Sequence, residues 1–173
     1  MLSIAEVCER CFMSQENEQL IRKFYTAFQQ RDHVGMIACY HSDVHFSDPV
    51  FTDLRGKRAI AMWHMLCERG KDLQISFDGV QANGNGGQAH WEATYSFSAS
   101  KRKVHNIIDA NFRFADGLIM RHADSFDLWR WTRMALGPAG VLLGWSSFMQ
   151  KKVRKTAVSG LDKFIANHPE YQS

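Results

Sequence analysis

The sequence predicts an α+β domain in which amphipathic helices cover a mainly antiparallel sheet. Three observations carry this reading: helical periodicity up to Gly70, a change to alternating periodicity from Asp72, and turn residues between the alternating runs. At 173 residues the chain suits one domain, long enough to bury a core and a drug-sized pocket.

The elements follow in order. Residues 1–14 form an N-terminal segment. Between Glu16 and Arg31, the residues Ile21, Phe24, Tyr25 and Phe28 share one helical face. Asp32 can cap a short second helix carrying Val34, Ile37, Ala38 and Tyr40, and Ser42-Asp43 then breaks into a strand ending at Asp48. After a turn at Gly56, the residues Ala59, Met62, Trp63 and Leu66 mark a third helix that Gly70 terminates.

Four strands are predicted near 73–82, 88–98, 104–115 and 118–126. Asn83-Gly84-Asn85-Gly86-Gly87, residues 98–103 and Ala115-Asp116-Gly117 separate them, which gives an antiparallel meander. Trp91, Ala93, Tyr95 and Phe97 alternate with polar neighbours, as do Ile108, Ala110, Phe112 and Phe114, so one sheet face is apolar. Helices on that face would close over a cavity. From Leu128 a helix runs to a stop at Gly137-Pro138. Residues 137–173 then form a helical extension, apolar over Val141–Met149 and basic over Lys151–Lys155.

Composition narrows the function classes. The chain is 45% hydrophobic, and its 12 Phe and 5 Trp can wall a cavity or fill a core. A net charge of +3 does not call for a nucleic-acid partner, and no nucleic-acid-binding motif is present. Cys39 and Cys67 lie in helical patterns and fit a reducing compartment. Cys8 and Cys11 form a lone CxxC, read as chance spacing at an exposed site. The eight histidines include no HExxH, and no glycine-rich loop follows a strand, so no metal or cofactor is expected. Glu6, Glu9 and Arg10 interrupt any leader-like apolar run and no stretch reaches membrane-spanning length, so a cytoplasmic location is expected. The apolar run followed by Lys and Arg in the extension allows membrane-surface contact, with packing on the domain or a partner subunit as the favoured alternative.

The candidate site begins at His45-Phe46-Ser47-Asp48-Pro49-Val50-Phe51. A carboxylate among apolar neighbours is desolvated, which favours its protonated form and raises its pKa towards the range useful for proton transfer. Pro49 biases Asp48 towards extended backbone at the strand end, and an Asp-Pro pair is also ordinary turn chemistry.

These elements, with Phe24-Tyr25-Thr26-Ala27-Phe28, the stretch from Tyr40 to Pro49, Gly56-Lys57-Arg58-Ala59-Ile60, Asn111-Phe112-Arg113-Phe114 and the stretch from Asp116 to Asp127, resemble the SnoaL-like and ketosteroid-isomerase-like branch of the nuclear transport factor two-like superfamily. The resemblance covers residues 15–136. It implies a cone-like fold with N-terminal helices packed on a curved sheet, and a pocket for a small hydrophobic or carbonyl-containing molecule.

The resemblance also puts Asp48 at the general-base position of ketosteroid isomerases. Their oxyanion-hole tyrosine falls on Phe24, with Tyr25 one residue away, and their protonated aspartate falls on Ala110, with Asp109 one residue away. Without those two donors, true ketosteroid isomerisation is not expected. Compared with limonene-epoxide-hydrolase-like members, Asp124 falls on the acid of the last strand, but the Arg-x-Asp of that group is missing from His90-Trp91-Glu92-Ala93-Thr94-Tyr95.

The candidate catalytic residues are thus Asp48, Asp124 and His122. The candidate lining is Phe24, Tyr25, Phe46, Trp63, Trp91, Tyr95, Ala110 and Phe112. Asp124 could instead cap or pair with Arg121 or Arg130, and His122 could be a satisfied core histidine. The expected activity is isomerisation, cyclisation or hydration by an Asp base in a homodimer, with a noncatalytic binding or interaction module as the alternative.

Overall fold

The computed structural model describes the backbone of residues 4–172 and the side chains of residues 12–172. The Cys8–Cys11 pair therefore lies outside the described side chains. The first helix, α1, spans Ile4–Gln29, so it is longer than the amphipathic pattern over Glu16–Arg31. α2 follows at His33–Ile37, capped by Asp32, whose carboxylate accepts from the Gly35 amide at 3.0 Å. α2 is only five residues long, so Tyr40 opens strand β1 (Tyr40–Ser47) instead of riding on the helix. Within α2, Met36 is buried, while Val34, which the sequence pattern puts on the apolar face, is exposed.

A two-residue strand β2 (Leu54–Arg55), not anticipated from the sequence, turns the chain into α3 (Lys57–Arg69), which ends at Gly70. The strands β3 (Gln74–Ala82), β4 (Gly87–Ser96), β5 (Lys103–Ala115) and β6 (Leu118–Ser125) form the expected antiparallel meander. Asp116 and Gly117 both adopt positive φ in the β5–β6 turn, as a tight two-residue hairpin requires. The six strands run in the order β2-β1-β6-β5-β4-β3, and β1 joins β6 in parallel. One parallel pair in an otherwise antiparallel, curved sheet gives the α+β cone.

α1 and α3 lie on the apolar face. Ile21, Phe24, Tyr25 and Phe28 from α1 meet Met62 and Trp63 from α3 and Trp91, Ile108, Ala110 and Phe112 from the sheet. Asp109 lies on the outer face, where it bonds His90 at 2.8 Å. The C-terminal part comprises α4 (Leu128–Leu136), α5 (Pro138–Leu143), α6 (Ser147–Ala166) and a 3-10 turn at Pro169–Tyr171. Asp127 caps α4, and Gly137 ends it. Leu161 and Phe164 of α6 enter the main core, while Val141, Leu142, Leu143, Trp145 and Phe148 stay exposed. No helix among the described residues is long and apolar enough to cross a membrane.

Candidate active site

β1 and β6 supply the polar groups because the pleat turns them inward. Val44 and Phe46 face the core, and Asp48, of the same parity, follows at the point where the strand ends. On β6 the alternation is interrupted. Phe114 pairs with Ile119 but Arg113 pairs with Arg121, so Met120 is an extra residue and the inward set changes from Ile119 to His122 and Asp124. A β-bulge of this kind re-aims side chains. Without it, His122 and Asp124 would face outward.

The carboxyl of Asp48 first closes its own turn. Oδ1 accepts from the Val50 amide at 2.6 Å and from the Phe51 amide, while the Asp48 amide donates to the Phe51 carbonyl at 2.8 Å. Asp48 thus closes a turn while its residue stays half-buried at the strand end. Burial pushes the Asp48 pKa up, and Asp124 adds repulsion. The turn amides and Arg154 pull the other way, and the result is a pKa raised to about 7. Arg154 comes from α6, where its Nε donates to the Pro49 carbonyl at 2.9 Å. Tyr95 is placed near Asp48, whose charge adds to burial in raising the phenol's pKa. The Tyr95 hydroxyl accepts from Trp131 Nε1 of α4 at 2.8 Å.

Deeper in the cone, five side chains form one hydrogen-bonded chain. Trp63 Nε1 donates to the Tyr40 hydroxyl at 2.8 Å, and that hydroxyl lies 2.7 Å from His122 Nδ1. His122 Nε2 lies 2.9 Å from Asp124 Oδ1, which also accepts from Trp91 Nε1 at 3.3 Å. One tautomer satisfies every member: His122 carries its hydrogen on Nε2 for Asp124 and accepts from Tyr40 at Nδ1. Asp124 pairs with neither Arg121 nor Arg130. Tyr40 had no assigned role in the sequence, because the helical pattern that seemed to include it hid its place on β1.

The remaining candidates pack around the same hydrogen-bonded chain. Phe24 stacks on Tyr40 at 5.1 Å between centroids, Trp63 stacks on His122 at 5.7 Å, and Phe112 lies 4.4 Å from His122. Phe46 meets His122 edge-on at 5.2 Å. Ala110 pairs with Asp124 across the β5–β6 ladder. Tyr25 is fully buried beside Phe77 and Trp91, and its hydroxyl has no hydrogen-bond partner among the described residues. Burial raises the pKa of Tyr25 and Tyr40 well above the ordinary value, and Asp124 adds to both. The fold therefore gathers two carboxyls, an imidazole and three phenols among packed aromatic rings. A buried phenol without a partner is an orphan donor that a ligand oxygen or a water can satisfy.

The family described as SnoaL-like domain matches residues 21–122. An M. tuberculosis LEH-like epoxide hydrolase superposes with TM-score 0.59 at 18% identity, over 75% of this chain and 94% of that one. A candidate SnoaL-like polyketide cyclase from Jannaschia sp. CCS1 reaches TM-score 0.64 at 14% identity, over 73% and 95%. An NTF2-like protein from Burkholderia xenovorans LB400 gives TM-score 0.59 at 19% identity, over 70% and 97%. At such identities the likeness shows the fold. No curated protein sequence matches the chain.

Proposed function

The chain belongs to the SnoaL-like domain family, and from that premise we infer an enzyme acting on a small hydrophobic or carbonyl-containing molecule, with Asp48 as its acid–base group. The observation that carries this is the pair of inward carboxyls. Asp48 titrates near neutrality at the strand end, and Asp124 is held by His122 and Trp91 deeper in the cone. A carboxyl with a pKa of about 7 is populated in both forms at neutral pH, as proton transfer requires.

In this reading Asp48 takes a proton from a carbon beside a carbonyl, or from water, and returns it at another position. The Tyr25 hydroxyl donates to the substrate oxygen. Tyr40, His122 and Asp124 fix the charge distribution facing the ligand. Phe24 and Ala110 supply no donors, which leaves isomerisation of other carbon acids, cyclisation or hydration. Neighbours named as an epoxide hydrolase and a candidate polyketide cyclase support chemistry of this kind on small organic molecules. Assembly as a homodimer belongs to the same reading, and light scattering tests it.

A noncatalytic binding module is the second reading. It is favoured by the completeness of the Trp63–Tyr40–His122–Asp124–Trp91 chain, whose hydrogen bonds are already spent within the protein. The deciding experiment is mass spectrometry of copurifying small molecules, followed by incubation of each with the parent protein and with Asp48→Asn. Turnover by the parent alone establishes the enzyme. A thermal shift that survives in Asp48→Asn, without turnover by the parent, establishes the binder.

A further inference from the structure

On the side of α3 turned towards the C-terminus, the fold gathers histidines that the sequence leaves scattered. His64 and Glu68 are four residues apart on α3 and so share a face. His168 arrives from the far end of the chain, just before the 3-10 turn. One ligand atom from each of the three lies within 4.8 Å of the other two, and His168 Nε2 is 3.9 Å from Glu68 Oε2.

The surroundings orient both imidazoles. His168 Nδ1 is 2.8 Å from the Phe164 carbonyl, which takes its hydrogen and leaves Nε2 as a lone-pair donor. His64 Nδ1 contacts the Tyr171 hydroxyl at 3.0 Å, and its ring stacks on His33 at 3.6 Å between centroids. Phe164 holds both rings, with centroids at 5.1 Å from His64 and 3.9 Å from His168. Aromatic packing alone would account for the stacking. It does not account for a carboxylate directed at the imidazoles.

We propose that His64, Glu68 and His168 form a binding site for a first-row divalent cation, Zn²⁺ by preference, that clips the C-terminal turn to α3. Two imidazoles and one carboxylate are a donor set suited to Zn²⁺, with water completing the tetrahedron on the exposed side. Ligands bound at about 2.1 Å lie closer together than the atoms do here, so the ion draws the exposed Glu68 side chain and the two half-buried imidazoles inward by small rotations. The clip has a consequence for the rest of the fold. α6, which ends beside His168, also carries Arg154 against the Pro49 carbonyl next to Asp48.

The test is calorimetric titration of the metal-free full chain with ZnCl₂, with thermal denaturation alongside. One ion per chain and a higher Tm are expected. His64→Ala and His168→Ala should each weaken binding at least tenfold. Glu68→Gln, a change at an exposed position, should weaken it severalfold without altering the Tm of the metal-free protein. Co²⁺ substitution should give d–d bands without a thiolate charge-transfer band. Substoichiometric binding, unchanged affinity in both histidine variants, or loss of binding in Cys8→Ser/Cys11→Ser instead would overturn the assignment.

Discussion

His122 lies between Tyr40 and Asp124, 2.7 Å from the hydroxyl of one and 2.9 Å from the carboxyl of the other, with no exposed surface. Buried polar groups held in this way are costly to leave half satisfied. Tyr40→Phe keeps the ring and its stack on Phe24, but it strands Trp63 Nε1 and His122 Nδ1. A loss of about 1–3 kcal/mol is expected in urea denaturation. A change within a few tenths of that scale would show that water replaces the hydroxyl.

The pH dependence of stability follows from Asp48. Its folded pKa of about 7 lies above the unfolded value of about 4. Below about 4 both states hold the proton, and the group contributes no difference. Between about 4 and about 7 the unfolded chain releases the proton while the folded chain keeps it, so stability falls as pH rises. Above about 7 the dependence flattens. The full effect is up to about 4 kcal/mol. Denaturation curves from pH 4 to 8 should show this slope in the parent and a flatter profile in Asp48→Asn; equal slopes would refute the assignment.

Much of this arrangement was legible in the sequence. The inward parity of Phe46 and Asp48, the opposite orientations of Asp109 and Ala110, and the ends of α3 and α4 all follow from local pattern. The sequence could not show the extra residue at Met120, because strand alternation read across Ile119 would send His122 and Asp124 outward. Tyr40 is hidden for a related reason, as its spacing from Val34, Ile37 and Ala38 suggests that the helix continues. The His64–Glu68–His168 cluster depends on a contact between residues about one hundred positions apart, which periodicity does not encode.

Arg154 provides an independent handle on Asp48. Its positive charge lowers the Asp48 pKa against burial and Asp124, and its Nε holds the Pro49 carbonyl. Arg154→Met keeps a long apolar stem and removes the charge, so the Asp48 midpoint should move above about 7. Carboxyl ¹³C chemical shifts titrated by NMR would report it. A midpoint that moves down would mean that the helix leaves and water enters.

The junction of α4 and α5 tolerates no added methyl. A Cβ at Gly140 would collide with the Thr132 backbone carbonyl, and one at Gly144 with the Thr132 side chain. Backbone cannot yield as a flexible side chain does, so Gly140→Ala should cost about 1–3 kcal/mol. Limited proteolysis should then cut sooner between α4 and α6. Unaltered Tm and cleavage would mean that α5 can shift as a unit without loss.

Tyr25 separates a binding role from a packing role. Its hydroxyl is buried without a partner, so removing it relieves an unmet polar group while the ring keeps its stack on Phe77. Tyr25→Phe should therefore leave the Tm unchanged or raise it slightly, since an unsatisfied buried hydroxyl contributes no net stability. If the hydroxyl donates to a ligand oxygen, the same variant should bind the copurifying molecule about tenfold more weakly, the equivalent of about 1.4 kcal/mol. A lower Tm with unchanged ligand affinity would reverse the assignment: the hydroxyl would then be satisfied by an internal water, and the aromatic interior would be core, with substrate contacts confined to the Asp48 end of the cone.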